Sequence, residues 1–150
     1  MTIEALLSFL DQAFPQILFG QSEARRPDGQ LAEIEIVSLT SARCQVRLPF
    51  HQRNLRPGGT LSGPSMFMLA DVGLYLAILA HIGPIGLAVT TNLNINFLNK
   101  PNPQALIADC ELLKLGKRLA VGEARLFGET DQTLVAQASG TYSIPPKSIK

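Results

Sequence analysis

Cysteine is scarce in this chain. Cys44 and Cys110 are the only two, far apart in sequence, with no C-x-x-C pair and no histidines at ligand spacing. That argues against a disulfide framework or a structural zinc site. Both fall in alternating apolar segments and read as small buried hydrophobes. Charge of one sign is equally wanting: the net charge is +1, and nothing resembles the concentrated Lys/Arg face that nucleic acid requires. There is no repeat of 20–50 residues and no low-complexity linker. The N-terminal "MTIEALLSFLDQAF" has neither a basic n-region nor a small-residue cleavage site, so it does not read as a secretory signal. A cytoplasmic protein is the expectation.

What the chain does have is apolar substance. Hydrophobic residues make up 46% and charged residues 17% of 150, enough for one domain, residues 1–150, with a real core. Ile3, Leu6, Leu7, Leu10 and Phe14 share one helical face, which predicts an amphipathic helix over residues 1–15. Residues 31–38 and 42–49 read as a strand pair around "SLTSA". "HQRNLRPGGT" (51–60) has the composition of a loop. An apolar helix is expected over about 64–81, stopping before Gly83-Pro84. The period then changes. Over 86–98, Leu87, Val89, Thr91, Leu93, Ile95 and Phe97 alternate with Thr90, Asn92, Asn94 and Asn96, which predicts a strand with one polar face. Three more strands are expected at about 105–114, 119–128 and 133–143, with tight turns between them that favour antiparallel pairing.

The central helix poses a question. "SGPSMFMLADVGLYLAILAH" (62–81) carries one charged residue between Pro64 and Ala80, Asp71. An ionised carboxylate removed from water costs several kcal/mol unless something pairs with it. The run is long enough to span a bilayer. However, Asp71, the Gly83-Pro84 break and the lack of aromatic or Lys/Arg anchors speak against a span. A helix apolar all round reads instead as one that a sheet wraps. A curved antiparallel sheet around one long central helix, an α+β fold, satisfies the pattern.

That element order, together with "RPGGTLSGPSMFMLADVGLYLA", resembles the hotdog-fold acyl-CoA thioesterases of the phenylacetyl-CoA thioesterase type. Their pattern runs approximately N-x-x-G-x-x-H-G-G, four or so apolar residues, then L-[AL]-[DE]. Here Gly59 falls on the first glycine, Gly63 on the glycine after the histidine, and Leu69-Ala70-Asp71 on the acidic element. "AVTTNLNINFLNKP" and "GKRLAVGEARLF" with "LVAQASGTYSIP" extend the likeness over about 30–145. Three positions depart from it: Arg56 replaces the asparagine, Ser62 the histidine and Pro64 the second glycine.

Thioester hydrolysis needs a stabiliser for charge on the carbonyl oxygen and a group that activates water or attacks. A helix N-terminus offers free N–H groups and a favourable dipole. Pro64 suits the first turn, Gly63 keeps its N–H and lets a ligand approach, and Ser62 can cap the helix or bond a ligand. Asp71 in apolar surroundings is suited to acid–base work. The resemblance implies that the Gly63 N–H is the oxyanion donor and Asp71 the base or nucleophile. In the simpler alternative Gly63-Pro64 is a plain helix start and Asp71 a buried acid bonded to backbone, Asn54 or Arg56. Gly63 and Asp71 are eight residues apart, roughly 12 Å along a helix, too far to meet one thioester carbon. Two antiparallel helices in a two-fold homodimer would complete two equal sites, and the resemblance implies the same, with 86–98 as the dimer edge and a tetramer also open.

Further substrate-binding candidates are Arg56, Asn54, Tyr75, Asn92 and Asn94, the asparagines doubling as an interface face. Lys100, Lys117 and Arg118, with Lys114, are candidates for the coenzyme A phosphates or ordinary turn charges. His51 and His81 have no motif partner and read as surface or helix-end residues. No metal and no cofactor is expected, and no nucleic-acid or membrane partner. The reading is an acyl-CoA thioesterase. The alternatives are a non-catalytic acyl-CoA-binding or regulatory protein of the same fold, and a hotdog enoyl-thioester hydratase or dehydratase, which usually pairs a histidine with an acid.

Overall fold

Thr2 opens the first helix, α1 (Ile3–Ala13), by accepting the Ala5 N–H at 3.1 Å. The helix buries Leu6 and Leu10, while Ile3, Leu7 and Phe14 pack on the core from partly exposed positions. The structure is a computed structural model that describes residues 1–22, 24–84 and 88–146. Beyond α1 come β1 (Phe19–Gln21), β2 (Ile34–Thr40), β3 (Arg43–Leu48), a short 3-10 turn (Gln52–Asn54) and the long helix α2 (Gly63–Ile82). Four strands follow: β4 (Val89–Phe97), β5 (Leu106–Leu115), β6 (Leu119–Gly128) and β7 (Leu134–Ser143). Gly86 and Leu87, the expected start of the β4 strand, lie outside the described residues.

One seven-stranded sheet holds them in the order β1-β2-β3-β5-β6-β7-β4. β5, β6 and β7 form the expected antiparallel meander, and β4 closes the far edge beside β7. One departure from the expected sheet is β1, which pairs parallel to β2, Phe19 opposite Ile34. Its three residues are too few to show a period, so the sheet is antiparallel except at this edge.

The sheet curves around α2, which packs on β2 through β7. With a mean hydropathy of 1.7, α2 passes the length and composition test for a bilayer span. Half of its twenty residues are nonetheless buried inside the molecule, as a core helix requires. Two glycines let it sit close. A Cβ on Gly73 would fall 2.4 Å from the Cys110 sulfur, and one on Gly122 would fall 2.7 Å from Leu74 Cδ2. Cys110 lies opposite Cys44 in the β3–β5 register. Both thiols are free and buried, and burial pushes the Cys44 thiol up to about 12.

The wrap is incomplete. Pro64, Phe67, Met68, Asp71, Val72 and Tyr75 recur at helical spacing and none is buried. This stripe is apolar apart from Asp71 and, at its end, the Tyr75 hydroxyl, and its residues line two hollows.

Candidate active site

The start of α2 is organised by its own polar groups. The Ser62 N–H donates to the Asn54 carbonyl at 2.7 Å. The Ser65 N–H donates to Ser62 Oγ at 3.2 Å, Ser62 Oγ to Ser65 Oγ at 2.9 Å, and Ser65 Oγ to Asn54 Oδ1 at 3.1 Å. Ser62 is therefore the helix N-cap, and buried Asn54 braces the cap from behind. Ser62 and Asn54, two candidate substrate ligands, have their side chains committed to this network. Arg56 closes the preceding loop, its N–H donating to the Thr60 carbonyl and its carbonyl accepting from the Gly59 N–H. Gly58 and Gly59 there have φ of 103° and 83°, which glycine adopts without strain.

The Gly63 N–H is different. It is the first helical residue, it has no acceptor among the described residues, and Pro64 after it has no N–H at all. It borders two adjoining hollows. One, of about 460 Å³, is walled by Phe67, Met68, Ile95 and Phe97. The other, of about 350 Å³, brings Arg56 and Lys100 to the same helix end.

Asp71 sits on the open stripe two turns further on. The Tyr142 hydroxyl, on β7, lies 2.8 Å from Asp71 Oδ1 and 3.0 Å from the Asp71 carbonyl. The Thr90 hydroxyl donates to the same Oδ1 at 2.8 Å. Oδ2 accepts nothing among the described residues. The carboxylate is thus held by one oxygen and open at the other. Its partners are neither Asn54 nor Arg56, the two side chains considered from sequence. Burial, with the Asp71 charge second, pushes the Tyr142 phenol upward, so it remains a neutral donor.

Beside Asp71 runs a groove of about 370 Å³, lined by Leu10, Phe14, Val72, Tyr75, Val89 and Thr90 among others. Tyr75 lies one turn beyond Asp71 as expected, and its ring meets Phe14 edge-on at 5.7 Å and 81°. Burial raises the Tyr75 phenol as well.

Thr90 corrects the face assignment for β4. Regular alternation puts it outward with the asparagines. The register shifts between Thr90 and Asn92, which face Tyr142 and Thr141, so Thr91 is an extra bulged residue. Its hydroxyl donates to the Thr141 carbonyl at 3.0 Å. The bulge turns Thr90 toward Asp71 while Asn92, Asn94 and Asn96 stay exposed. Asn96 donates to Gln137, and neither Asn92 nor Asn94 is among the described residues that line the groove beside Asp71.

The cations also separate. Lys100 follows the end of β4, where Phe97 faces Ala136, whereas Lys117 and Arg118 lead into Leu119, which faces Ser143 at the other end of β7. Lys100, Lys117 and Arg118 therefore form no single cluster in one chain. His51 accepts the Arg53 N–H and His81 meets Ser41 Oγ at 2.9 Å; neither enters a groove with Asp71. Gly63 and Asp71 share no hollow, which agrees with their axial separation of roughly 12 Å. Sequence reasoning missed Thr90 and Tyr142. A threonine at the head of an alternating strand was a weak signal for the first, and nothing local marked the second.

A curved sheet wrapped around one long central helix is the hotdog architecture, shared with solved thioesterase structures. Residues 58–135 match the model of the Thioesterase superfamily, and the chain belongs to that family. It is 43% identical to a "putative thioesterase" from Silicibacter sp. TM1040, whose crystal structure superposes with a TM-score of 0.77 over 95% of this chain and 91% of that one. It is 34% identical over 101 residues to a "putative esterase" from Pseudomonas aeruginosa, covering 67% of this chain and 74% of that protein. Zebrafish thioesterase superfamily member 2, at 19% identity, shares the fold, with a TM-score of 0.76 over 97% and 99% of the two chains. Thioesterase-type function, a hydrolase activity, follows from the family.

Proposed function

We propose that the protein is a homodimeric acyl-CoA thioesterase, hydrolysing a thioester to a carboxylic acid and coenzyme A. One observation carries the reading: Asp71 is anchored through Oδ1 by Tyr142 and Thr90, while Oδ2 is left unbonded beside an apolar groove. A carboxylate so held can take a proton from an attacking water, or add directly, without first giving up a protein partner. Charge then develops on the carbonyl oxygen and the thiolate leaves. The donor for that oxygen is the Gly63 N–H, first in the helix and without an acceptor among the described residues, with the helix dipole behind it.

The distance between the two groups calls for a second copy. Gly63 of one antiparallel helix meets Asp71 of another when the two-fold axis passes the midpoint of 63 and 71, which is position 67. The residue there is Phe67, exposed on the open stripe at 40%, and an isologous interface would place it against its own copy. Phe97 and Val89, exposed at 53% and 57% on the free edge strand, extend the same surface. If β4 edges pair antiparallel, the Lys117–Arg118 turn of one protomer falls at the same end of the joined sheet as Lys100 of the other. Arg56, Lys100, Lys117 and Arg118 are then the groups for the coenzyme A phosphates.

A free-thiol assay over a panel of acyl-CoAs, wild type beside Asp71→Asn, tests the reading. Turnover that collapses in a variant of unchanged fold supports it. Acyl-CoA binding without thiol release at any chain length would favour a binding module. Hydration of enoyl thioesters with saturated ones left intact would favour a hydratase.

A further inference from the structure

The wall of the Asp71 groove that faces α2 comes largely from the N-terminal segment, through Leu10, Phe14, Ile17 and Phe19. Sheet and central helix fix the carboxylate, but this separate piece of chain shapes the space beside it. Asp71 and Tyr75 are about one turn apart on α2, about 6 Å along its axis. Phe14 packs edge-on against Tyr75 at that point. Both rings line the groove that holds Asp71, so the aromatic pair forms part of its wall one helical turn from the carboxylate.

The lining also states what can occupy the space. Among the described residues that line it, Asp71 is the one charged group, with no lysine, arginine or histidine. An uncharged apolar group is matched to such a groove. A group ending in a second carboxylate would face Asp71 with no cation to offset the repulsion.

The N-terminal wall is braced. The Arg26 side chain, 9% exposed, pairs with Asp11 on α1 at 3.0 Å and with Asp28 at 3.0 Å. It also donates to the Phe19 carbonyl. One guanidinium thus ties α1, β1 and the 26–30 turn together, three residues before Phe14 in the helix and on the strand that supplies Phe19. Its planar fork offers five donors in fixed directions, where a lysine offers three on one flexible ammonium.

We infer that Phe14 is the residue that sets acyl length in this enzyme, closing the groove beyond Asp71 against Tyr75, with Arg26 as the positioning residue that holds the closing wall in register. The inference rests on the thioesterase reading above and adds its substrate class: a neutral, apolar acyl group of limited length.

The test is the kcat/KM profile over linear acyl-CoAs from acetyl to palmitoyl, with succinyl-CoA beside its neutral equal in length, butyryl-CoA. Phe14→Leu opens the groove and moves the optimum to longer chains, each newly buried methylene raising kcat/KM about fourfold. Phe14→Trp moves it to shorter ones. Arg26→Gln flattens the fall beyond the optimum, and succinyl-CoA is turned over more slowly than butyryl-CoA. The two Phe14 variants shift in opposite directions only if the ring is a stop, because a general loss of packing shifts both the same way. Turnover with an unmoved optimum in both Phe14 variants, or a shared direction, overturns the inference and leaves the thioesterase reading standing. Absence of turnover with every acyl-CoA in the wild type overturns both.

Discussion

The two ends of the open stripe on α2 treat their polar groups in opposite ways. At the helix start, Ser62, Ser65 and Asn54 satisfy one another, and what remains for a ligand is a backbone N–H. Two turns on, a side chain is the group on offer, with one carboxylate oxygen held and the other open. On the proposed mechanism, the contrast accounts for the departures at Ser62 and Pro64. A site that works through the Gly63 N–H tolerates different neighbours as long as they cap and start the helix, and Ser62 with Pro64 does both. A site that works through a side chain does not tolerate its replacement.

Mutations at the two ends should therefore behave differently. Asp71→Asn keeps the size of the side chain and should cost about a thousandfold in kcat, the range expected when a general base is lost, with the circular dichroism spectrum unchanged. If turnover were unaffected, Asp71 would have no place in the mechanism. Phe67→Asp sets two charges face to face at the proposed two-fold axis. It should give a monomer by light scattering and lower kcat by on the order of a hundredfold, because each Asp71 then lacks the oxyanion donor of the other chain. An active monomer would end the shared-site geometry. Tyr142→Phe removes one hydrogen bond to a charged group. It should lower kcat about tenfold with little change in KM, since the tyrosine positions Asp71 and does not line the groove. Smallest is Ser62→Ala, which should lower stability by about 1 kcal/mol in urea unfolding and leave turnover nearly intact. A large loss of turnover at Ser62 with stability preserved would erase the difference between the two ends.

Much of this was legible in the sequence, and for physical reasons. α2 announces itself by a long run, apolar but for a few residues, between a serine-glycine-proline start and Gly83-Pro84, and β5 to β7 by turns at regular spacing. Asp71 stands out because nothing near it in sequence offsets its charge. The missed features depend on long-range contact or on a single irregular residue. Tyr142 reaches Asp71 across 71 positions of sequence. Phe19–Gln21 forms a strand only because Ile34–Ile36 lies alongside. Cys44 and Cys110 look unrelated until β3 and β5 are placed in register. The basic residues share a type but no location, which composition cannot reveal. Ser62 caps the helix in a network that depends on Asn54, eight residues away, reaching Ser65.

The extra residue at Thr91 divides β4 into two reading frames. Downstream, the parity of the strand is set by Leu93 and Ile95, which pack inward and leave the asparagines on the free edge. Upstream, the parity is reversed, and Thr90 serves the carboxylate. Joined without the insertion, the two stretches could not both keep their faces at this length. With it, the residues of the proposed interface and those around the proposed catalytic carboxylate occupy one strand yet can vary independently, so such an interface could drift while the setting of Asp71 stays in phase.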